Sequence, residues 1–534
     1  MAKRARIVLL MLTAMLLGIA GRLLYLAQTH PAQTAAGQST YRVTAAQTRG
    51  TIYDTRMQPL VNAQKEYRAA VAPDAALLTA LRGTAEPNSF DSLRQSIENG
   101  RPGVVRLNGP VALSDGLRLF SVPVRYGARL PAPHVIGYTD GDGRGVTGIE
   151  RAFDALLSRC GGTASVLFTV DARGRYLDGA GSQIEDTTGR CVGGVVLTLD
   201  NAIQTAVEDA AAPMLPKGAV VVMDPYSGAI RASASFPSYQ PDTVAQSIAA
   251  DDGALVDRSL SLYDPGSVFK IVTAAAALEN GIPADRRYTC AGSLNVQGTT
   301  FHCHNRLGHQ RLTMSEAMAR SCNLYFIQLA QEVGAQALCR TASDLGFARG
   351  VTLADGMAAG SAVLPAQEQL HSSPAALANL SFGQGYLLAS PLHIAQLVSA
   401  VAADGVMPPT HLIEGLVDEQ GTVTARPTGL GQTVMTKSTA AALRTMLRGV
   451  LENGTGRAAA SKLFTAAGKT GTAETGQKST VGTKSVVQSW FAGYYPADTP
   501  RYVICVLAED ANNTNVTAAA VFRAVSEALF ALQN

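Results

Sequence analysis

Residues 263–272 read YDPGSVFKIV and continue into the apolar run TAAAALENG. Pro265-Gly266 punctuates whatever precedes it, and the alanine-rich sequence that follows predicts a buried helix. Ser267 and Lys270 then stand one turn apart on one face of that helix. A serine hydroxyl is a poor nucleophile until a neighbour takes its proton. A lysine does so only where desolvation or nearby positive charge lowers its pKa. A helix start adds free N–H groups that favour a developing oxyanion. Taken alone, Ser-x-x-Lys recurs by chance in most long chains, and its plain reading is an ordinary helix start.

Two further stretches change those odds. ARSCNLYF holds Ser321-Cys322-Asn323, and AAGKTGTAET holds Lys469-Thr470-Gly471-Thr472. Ser321 is placed to relay a proton, and Asn323 to hydrogen-bond a substrate amide. Lys469 supplies a positive charge, and Thr470 and Thr472 offer hydroxyls to a carboxylate. Gly471 is expected to let a substrate backbone approach an edge strand closely. Each piece has a plain reading as a cap or a turn. Their joint order, serine-lysine, then serine-x-asparagine, then lysine-threonine-glycine, is that of a serine acyl-enzyme site.

The rest of the chain bounds the class. Its 534 residues call for more than one domain, and 47% hydrophobic against 16% charged residues excludes a disordered protein. A net charge of +3 is too small to suggest nucleic acid as a partner. With no Walker loop and no Gly-rich strand-to-helix fingerprint, no cofactor is expected. At the N-terminus Lys3, Arg4 and Arg6 precede an apolar run over 7–27. At ~1.5 Å per residue the run spans ~31 Å, enough for a bilayer core. A cleaved signal peptide is the competing reading; the length favours an uncleaved transmembrane helix behind a cytoplasmic tail, 1–6. Positive residues inside then put the remainder outside the cytoplasm.

After the anchor, 28–200 reads as a β-rich pedestal, with EYRAAVAP, LRLFSVPV, SVLFTVDA and GGVVLTLD as strands and GIERAFDALLSR as a helical insertion. A second domain over 201–534 begins with a helix capped by Asp200 or Asn201 and a hairpin around 224–228. Alanine-rich helices follow, then strands in SWFAGYYP and RYVICVLAED, then a last helix with Val521, Phe522, Val525 and Leu529 on one stripe. Strands at both ends with helices between imply an α/β (α+β) fold, an antiparallel sheet closed by distant segments and flanked by helices.

Seven cysteines face an oxidising compartment under this reading. Cys290 and Cys303 are close enough in sequence to bridge a short loop, and Cys160 with Cys191 to bridge another. A zinc site drawn from Cys290, His302, Cys303, His304 or His309 competes. Its spacing fits no standard finger, so a disulfide or free thiols, and no metal, are expected.

The chain resembles a class B penicillin-binding protein, a monofunctional peptidoglycan D,D-transpeptidase. PGSVFKIVTAAAALENG, RSCNLYFIQLAQEVG, SFGQGYLLASPLHIAQ and GKTGTAET carry the likeness, with RGTIYD and GIERAFD similar to that family's pedestal. Thr55-Arg56-Met57 departs from the usual Arg-Asn-Gly after RGTIYD, and Asp257-Arg258 from the usual Asn-Arg. The resemblance implies that Ser267 attacks the D-alanyl-D-alanine bond of a stem peptide, with Lys270 as base. It places the oxyanion between the backbone N–H groups of Ser267 and Thr472. It further implies covalent binding of β-lactams and partnership with a polytopic membrane glycosyltransferase. The alternatives are a hydrolase or β-lactam sensor on the same fold, or a scaffold without catalysis.

Overall fold

A computed structural model of the chain describes residues 2–29, 40–114, 116–171, 176–177, 182–478 and 485–533. Ala2–Thr29 is one continuous helix with Leu9, Leu10, Leu12, Leu16 and Leu17 exposed. Among the described residues no helix is long and apolar enough to cross a membrane.

The chain divides into two compact units, one of Met1–Arg49, Asn62–Arg125 and Gly161–Cys191, the other of Gly50–Val61, Tyr126–Cys160 and Val192–Asn534. The first unit holds two three-stranded sheets. Thr163–Thr169 runs between Thr40–Gln47 and Ser182–Asp186, and Gln64–Val71 between Gly103–Leu107 and Leu117–Val124. Two helices absent from the sequence expectation, Ala75–Leu81 and Pro87–Glu98, pack Leu77, Leu81, Leu93 and Ile97 onto the second sheet.

The boundary expected at 200 differs from the observed one. Thr51–Tyr53 pairs in parallel with Gly194–Leu197, which pairs in turn with Ile413–Val417. Ile52, Ile149, Leu157 and Val195 all lie in the core of the second unit. Residues 50–54 of RGTIYD and all of GIERAFD therefore belong with the second unit, where Ile52 and Ile149 are buried. GIERAFDALLSR is also two short helices, Gly148–Ala152 and Asp154–Arg159, rather than one.

The second unit is built on a five-stranded antiparallel sheet of β1 (Gly218–Met223), β2 (Ile230–Phe236), β3 (Ala467–Lys478), β4 (Ser485–Tyr495) and β5 (Tyr502–Ala508), in the order β2-β1-β5-β4-β3. Strand β1, GAVVVM, is buried at every position, as expected of a strand covered on both faces. Among its helices, the ones that frame the site and the sheet are α1 (Asn201–Ala211), α2 (Lys270–Glu279), α3 (Asn323–Val333), α4 (Pro391–Ala402), α5 (Lys437–Asn453) and α6 (Ala518–Ala531). Asp200 caps α1 by accepting from the N–H groups of Ala202 and Ile203. Val521, Phe522, Val525 and Leu529 of α6 are buried, α6 packing against β4, β5 and α1 while α4 packs against β1 and β5. α2 is buried from Lys270 through Ala277, the setting of a helix apolar all round.

The Cys290–Cys303 disulfide is corrected by the structure: no disulfide joins any of the seven cysteines. Cys303 Sγ instead lies 3.5 Å from His309 Nδ1 and 4.0 Å from Cys322 Sγ, and a disulfide needs ~2.05 Å. Cys160 and Cys191 are not bridged either.

Candidate active site

Ser267 sits in a 3₁₀ turn, Gly266–Phe269, that feeds directly into α2 at Lys270. Three residues per turn stack positions i and i+3 more closely than an α-helix does, so the pair faces one way. Gly266 makes the turn possible. Its φ is +53°, and a Cβ there would stand 2.4 Å from the carbonyl oxygen of Thr472. Its N–H donates to the Gly383 carbonyl at 3.0 Å. The nucleophile's turn is thereby held between the SFGQG segment and β3.

Lys270 is fully buried, and its Nζ lies within hydrogen-bond distance of four oxygens: Ser267 Oγ at 2.9 Å, Ser321 O at 2.7 Å, Ser321 Oγ at 3.1 Å and Asn323 Oδ1 at 2.6 Å. Burial pushes its pKa down to about 7, against a smaller upward pull from the thiols of Cys322 and Cys303. Ser321 adopts a left-handed φ of +51°, rare for a residue with a side chain. That conformation ends the preceding helix and places Cys322 as N-cap of α3, so Ser321 and Asn323 both face Lys270.

Lys469 reaches the same point from β3. It is fully buried, and its Nζ donates to Ser321 Oγ at 3.0 Å, to Thr470 O at 2.9 Å and to Thr470 Oγ1 at 3.2 Å. Burial, and then repulsion from Lys270, holds its pKa well below the usual lysine value. Two lysines thus share one serine hydroxyl. Among the described residues neither has a carboxylate partner. The site lacks a counter-charge and is built to receive one.

Strand β3 is the edge of the sheet, Lys469 pairing with Ala492 and Thr472 with Ser489 of β4. Its open side lines a cleft of about 660 Å³ with Ser267, Ser321, Asn323, Thr470 and Thr472. Gly471 also plays a part not expected from the sequence. A Cβ there would meet Pro265 O, Trp490 Cβ and Val268 Cγ2, each at 2.9 Å. The missing side chain makes room for the Ser267 turn, while the Gly471 backbone itself lines the cleft. The Thr472 backbone lies against Gly266, beside the nucleophile.

Phe382, Gln384, Thr455 and Trp490 line the cleft without having been singled out from the sequence, and His302 and His304, considered there only as zinc ligands, line it too. Phe382 and Gln384 stand inside SFGQGYLLASP, where a glycine-spaced polar residue was the available signal. Thr455 Oγ1 hydrogen-bonds Thr470 Oγ1 at 2.7 Å, a long-range pairing with no local pattern. Arg258, buried at 3% side-chain exposure, pairs with Glu509 at 2.9 Å just past β5, and Tyr263 donates to the same carboxylate. This pair anchors the strand end to the segment leading into Ser267. Asp257 accepts from the N–H and hydroxyl of Ser259.

Comparison with known proteins agrees with this geometry. The family model for the penicillin binding protein transpeptidase domain matches residues 218–527. Stage V sporulation protein D of Bacillus subtilis is 31% identical over 71% of this chain and 59% of its own length. Peptidoglycan D,D-transpeptidase PbpA of Mycolicibacterium smegmatis is 30% identical over 74% of this chain and 79% of its own. The crystal structure of penicillin binding protein 3 from Mycobacterium tuberculosis, complexed with aztreonam, superposes with a TM-score of 0.65 at 26% identity, covering 92% of this chain and 97% of that one. The chain spans about three fifths of the length of the first curated relatives it matches, 59% in each. The chain belongs to the penicillin-binding protein transpeptidase family.

Proposed function

We propose that this protein is a peptidoglycan D,D-transpeptidase that works through an ester on Ser267 and is acylated there by β-lactams. The observation that carries the reading is the convergence of Ser267, Ser321 and Asn323 on one buried lysine, with a second lysine behind them and no counter-ion. A pKa of about 7 leaves much of Lys270 neutral at physiological pH, so its lone pair can accept the Ser267 proton. Ser267 Oγ then attacks the carbonyl carbon between the two terminal D-alanines, and the N–H groups of Ser267 and Thr472 receive the oxyanion. Asn323 Oδ1 is engaged by Lys270, which leaves its NH₂ to donate to a substrate carbonyl. The substrate carboxylate supplies the counter-charge at Lys469, Thr470 and Thr472.

When the C–N bond breaks, the departing D-alanine amine takes the proton held on Lys270, relayed through Ser321. An amine of a neighbouring stem peptide next attacks the ester and gives its proton to Lys270, which passes it to Ser267 Oγ as the ester C–O bond breaks and the cross-link forms. The substrate strand pairs with the open edge of β3. We place this chemistry outside the cytoplasmic membrane, on a single-pass anchor within Ala2–Thr29. The basic residues at its start and the exposed leucines along it support that reading. A polytopic membrane glycosyltransferase is the partner that such an anchor would meet.

Labelled benzylpenicillin tests the assignment. The full chain should take up one label, and Ser267→Ala none. Covalent labelling of Ser267→Ala at native stoichiometry would refute it. An acyl-enzyme lasting many minutes marks a transpeptidase, whereas rapid release of the hydrolysed drug would show a β-lactamase.

A further inference from the structure

Four side chains outside the reacting groups converge behind the cleft. The Sγ atoms of Cys290, Cys303 and Cys322 and Nδ1 of His309 all lie within 4.8 Å of one another. The three cysteines are buried and the histidine is half-buried. His309 Nδ1 is 3.6 Å from Cys290 Sγ and 3.5 Å from Cys303 Sγ, while the Cys303 and Cys322 sulfurs are 4.0 Å apart. A tetrahedral zinc ion, with Zn–S of ~2.3 Å and Zn–N of ~2.05 Å, sets S···N edges at ~3.6 Å and S···S edges at ~3.8 Å. The two S···N separations and the Cys303–Cys322 S···S separation lie within about 0.2 Å of those edges, and all four atoms lie within 4.8 Å of one another. The Cys303–Cys322 separation of 4.0 Å is too long for a disulfide.

The backbone is shaped to the same end. Cys290 ends a strand, Tyr288–Cys290, paired with Gln310–Leu312, so His309 follows directly across the ladder, its N–H donating to Cys290 O at 3.0 Å. Cys303 N–H donates to Gly292 O at 3.0 Å. The loop closes on itself through Gly292 and Gly308, with φ of +93° and +77°. A Cβ on either would stand about 2 Å from a carbonyl oxygen (Arg306 O at 2.0 Å, Cys290 O at 2.1 Å). The fourth donor, Cys322, comes from the Ser321-Cys322-Asn323 element itself and is N-cap of α3.

We propose that Cys290, Cys303, His309 and Cys322 bind a structural Zn²⁺ that ties the 290–309 loop to the start of α3. The three thiols release their protons to solvent on binding, and neutral His309 completes a closed tetrahedral site with no open position for catalysis. The ion fixes the residue between Ser321 and Asn323, and it holds His302 and His304, which line the cleft, against the catalytic side. A middle cysteine in this element is thereby a ligand and not a filler.

The test is metal content. Full-length protein, purified in detergent with reductant and without chelator, should carry about one zinc per chain by mass spectrometry. Cys303→Ser and His309→Ala should lose most of it. Co²⁺ replacing zinc in the unmutated chain should show thiolate charge-transfer bands and the intense d–d bands of a tetrahedral site, which decides the matter even if the variants misfold. Ser267→Ala should keep its zinc, so the site is judged apart from the acylation chemistry. Stripping the metal should slow penicillin acylation ~10-fold or more, with recovery on adding Zn²⁺. Less than a tenth of an equivalent of zinc after incubation with Zn²⁺, an octahedral Co²⁺ spectrum, or a mapped Cys290–Cys303 disulfide would overturn the proposal.

Discussion

If burial lowers Lys270 to about 7, acylation must follow the neutral amine. An unperturbed lysine would be neutral about once in three thousand at pH 7, whereas Lys270 is neutral about half the time, a gain of ~10³ in available base. The sign is fixed: the reactive form appears as pH rises. The second-order rate of acylation should climb ~10-fold between pH 5 and 6 and level off by about pH 8. Stopped-flow measurement with benzylpenicillin on the full-length protein reads this directly. A rate still rising tenfold per unit between pH 8.5 and 9.5, or one independent of pH from 5 to 9, would refute the role given to Lys270. The same shift bears on stability. The unfolded lysine holds its proton up to the ordinary value of 10.5 and the native one only to about 7. Between those values the unfolded state binds more protons. Stability therefore rises with pH across that window, and the cost of the buried amine is fully present below it.

Lys270→Arg keeps the charge but cannot deprotonate, so acylation should fall ~10² or more while circular dichroism stays native; a near-native rate would exclude general-base action. Gly471→Val drives a side chain into Pro265, Val268 and Trp490, and should cost ~1–3 kcal/mol in denaturant unfolding as well as slow acylation. Unchanged stability in that variant would show that the site tolerates the side chain. Met57 occupies a left-handed turn position at φ +60°, so Met57→Gly should raise stability by up to ~1 kcal/mol, and a loss would argue against strain there. Arg258→Leu leaves Glu509 to Lys217 and the Tyr263 hydroxyl; a cost of ~3 kcal/mol or more is expected, and a change under ~0.5 would show the buried pair to be expendable.

What was legible in the sequence is what local geometry decides. Ser267 and Lys270 face one way in any helical turn, Asp200 caps whatever helix follows it, and the 224–228 turn joins its own two flanking strands. The order of the three motif elements was legible for the same reason. Their meeting was not, since Ser321 receives Lys270 from one direction and Lys469 from the other across the tertiary fold. That a side chain at Gly471 would strike the Ser267 turn is not legible, because strand alternation gives two faces but not which one meets that turn. The division of the chain was misplaced because Thr51–Tyr53 is three residues long and its partner strand, Gly194–Leu197, lies far along the sequence. Cys322 was hidden in another way: counted as the middle of a catalytic element, it was left out of the cysteine and histidine cluster that it completes.

The order of the central sheet has a consequence for how the protein comes into being. β1 and β2 are synthesised before Ser267, but β3, β4 and β5 come only after the whole helical region, and β5 must pair with β1 for the sheet to close. A growing chain therefore exposes Ser267 and Lys270 long before Lys469 and Thr472 exist. Until β3 docks on the Gly266–Phe269 turn, Lys270 is solvated, keeps its proton, and leaves the serine inert. Closure over so long a loop is slow compared with helix formation. Under the proposed chemistry, a nascent chain should not react with a β-lactam until the sheet closes. The appearance of penicillin reactivity can serve as a clock for the final sheet-closing step.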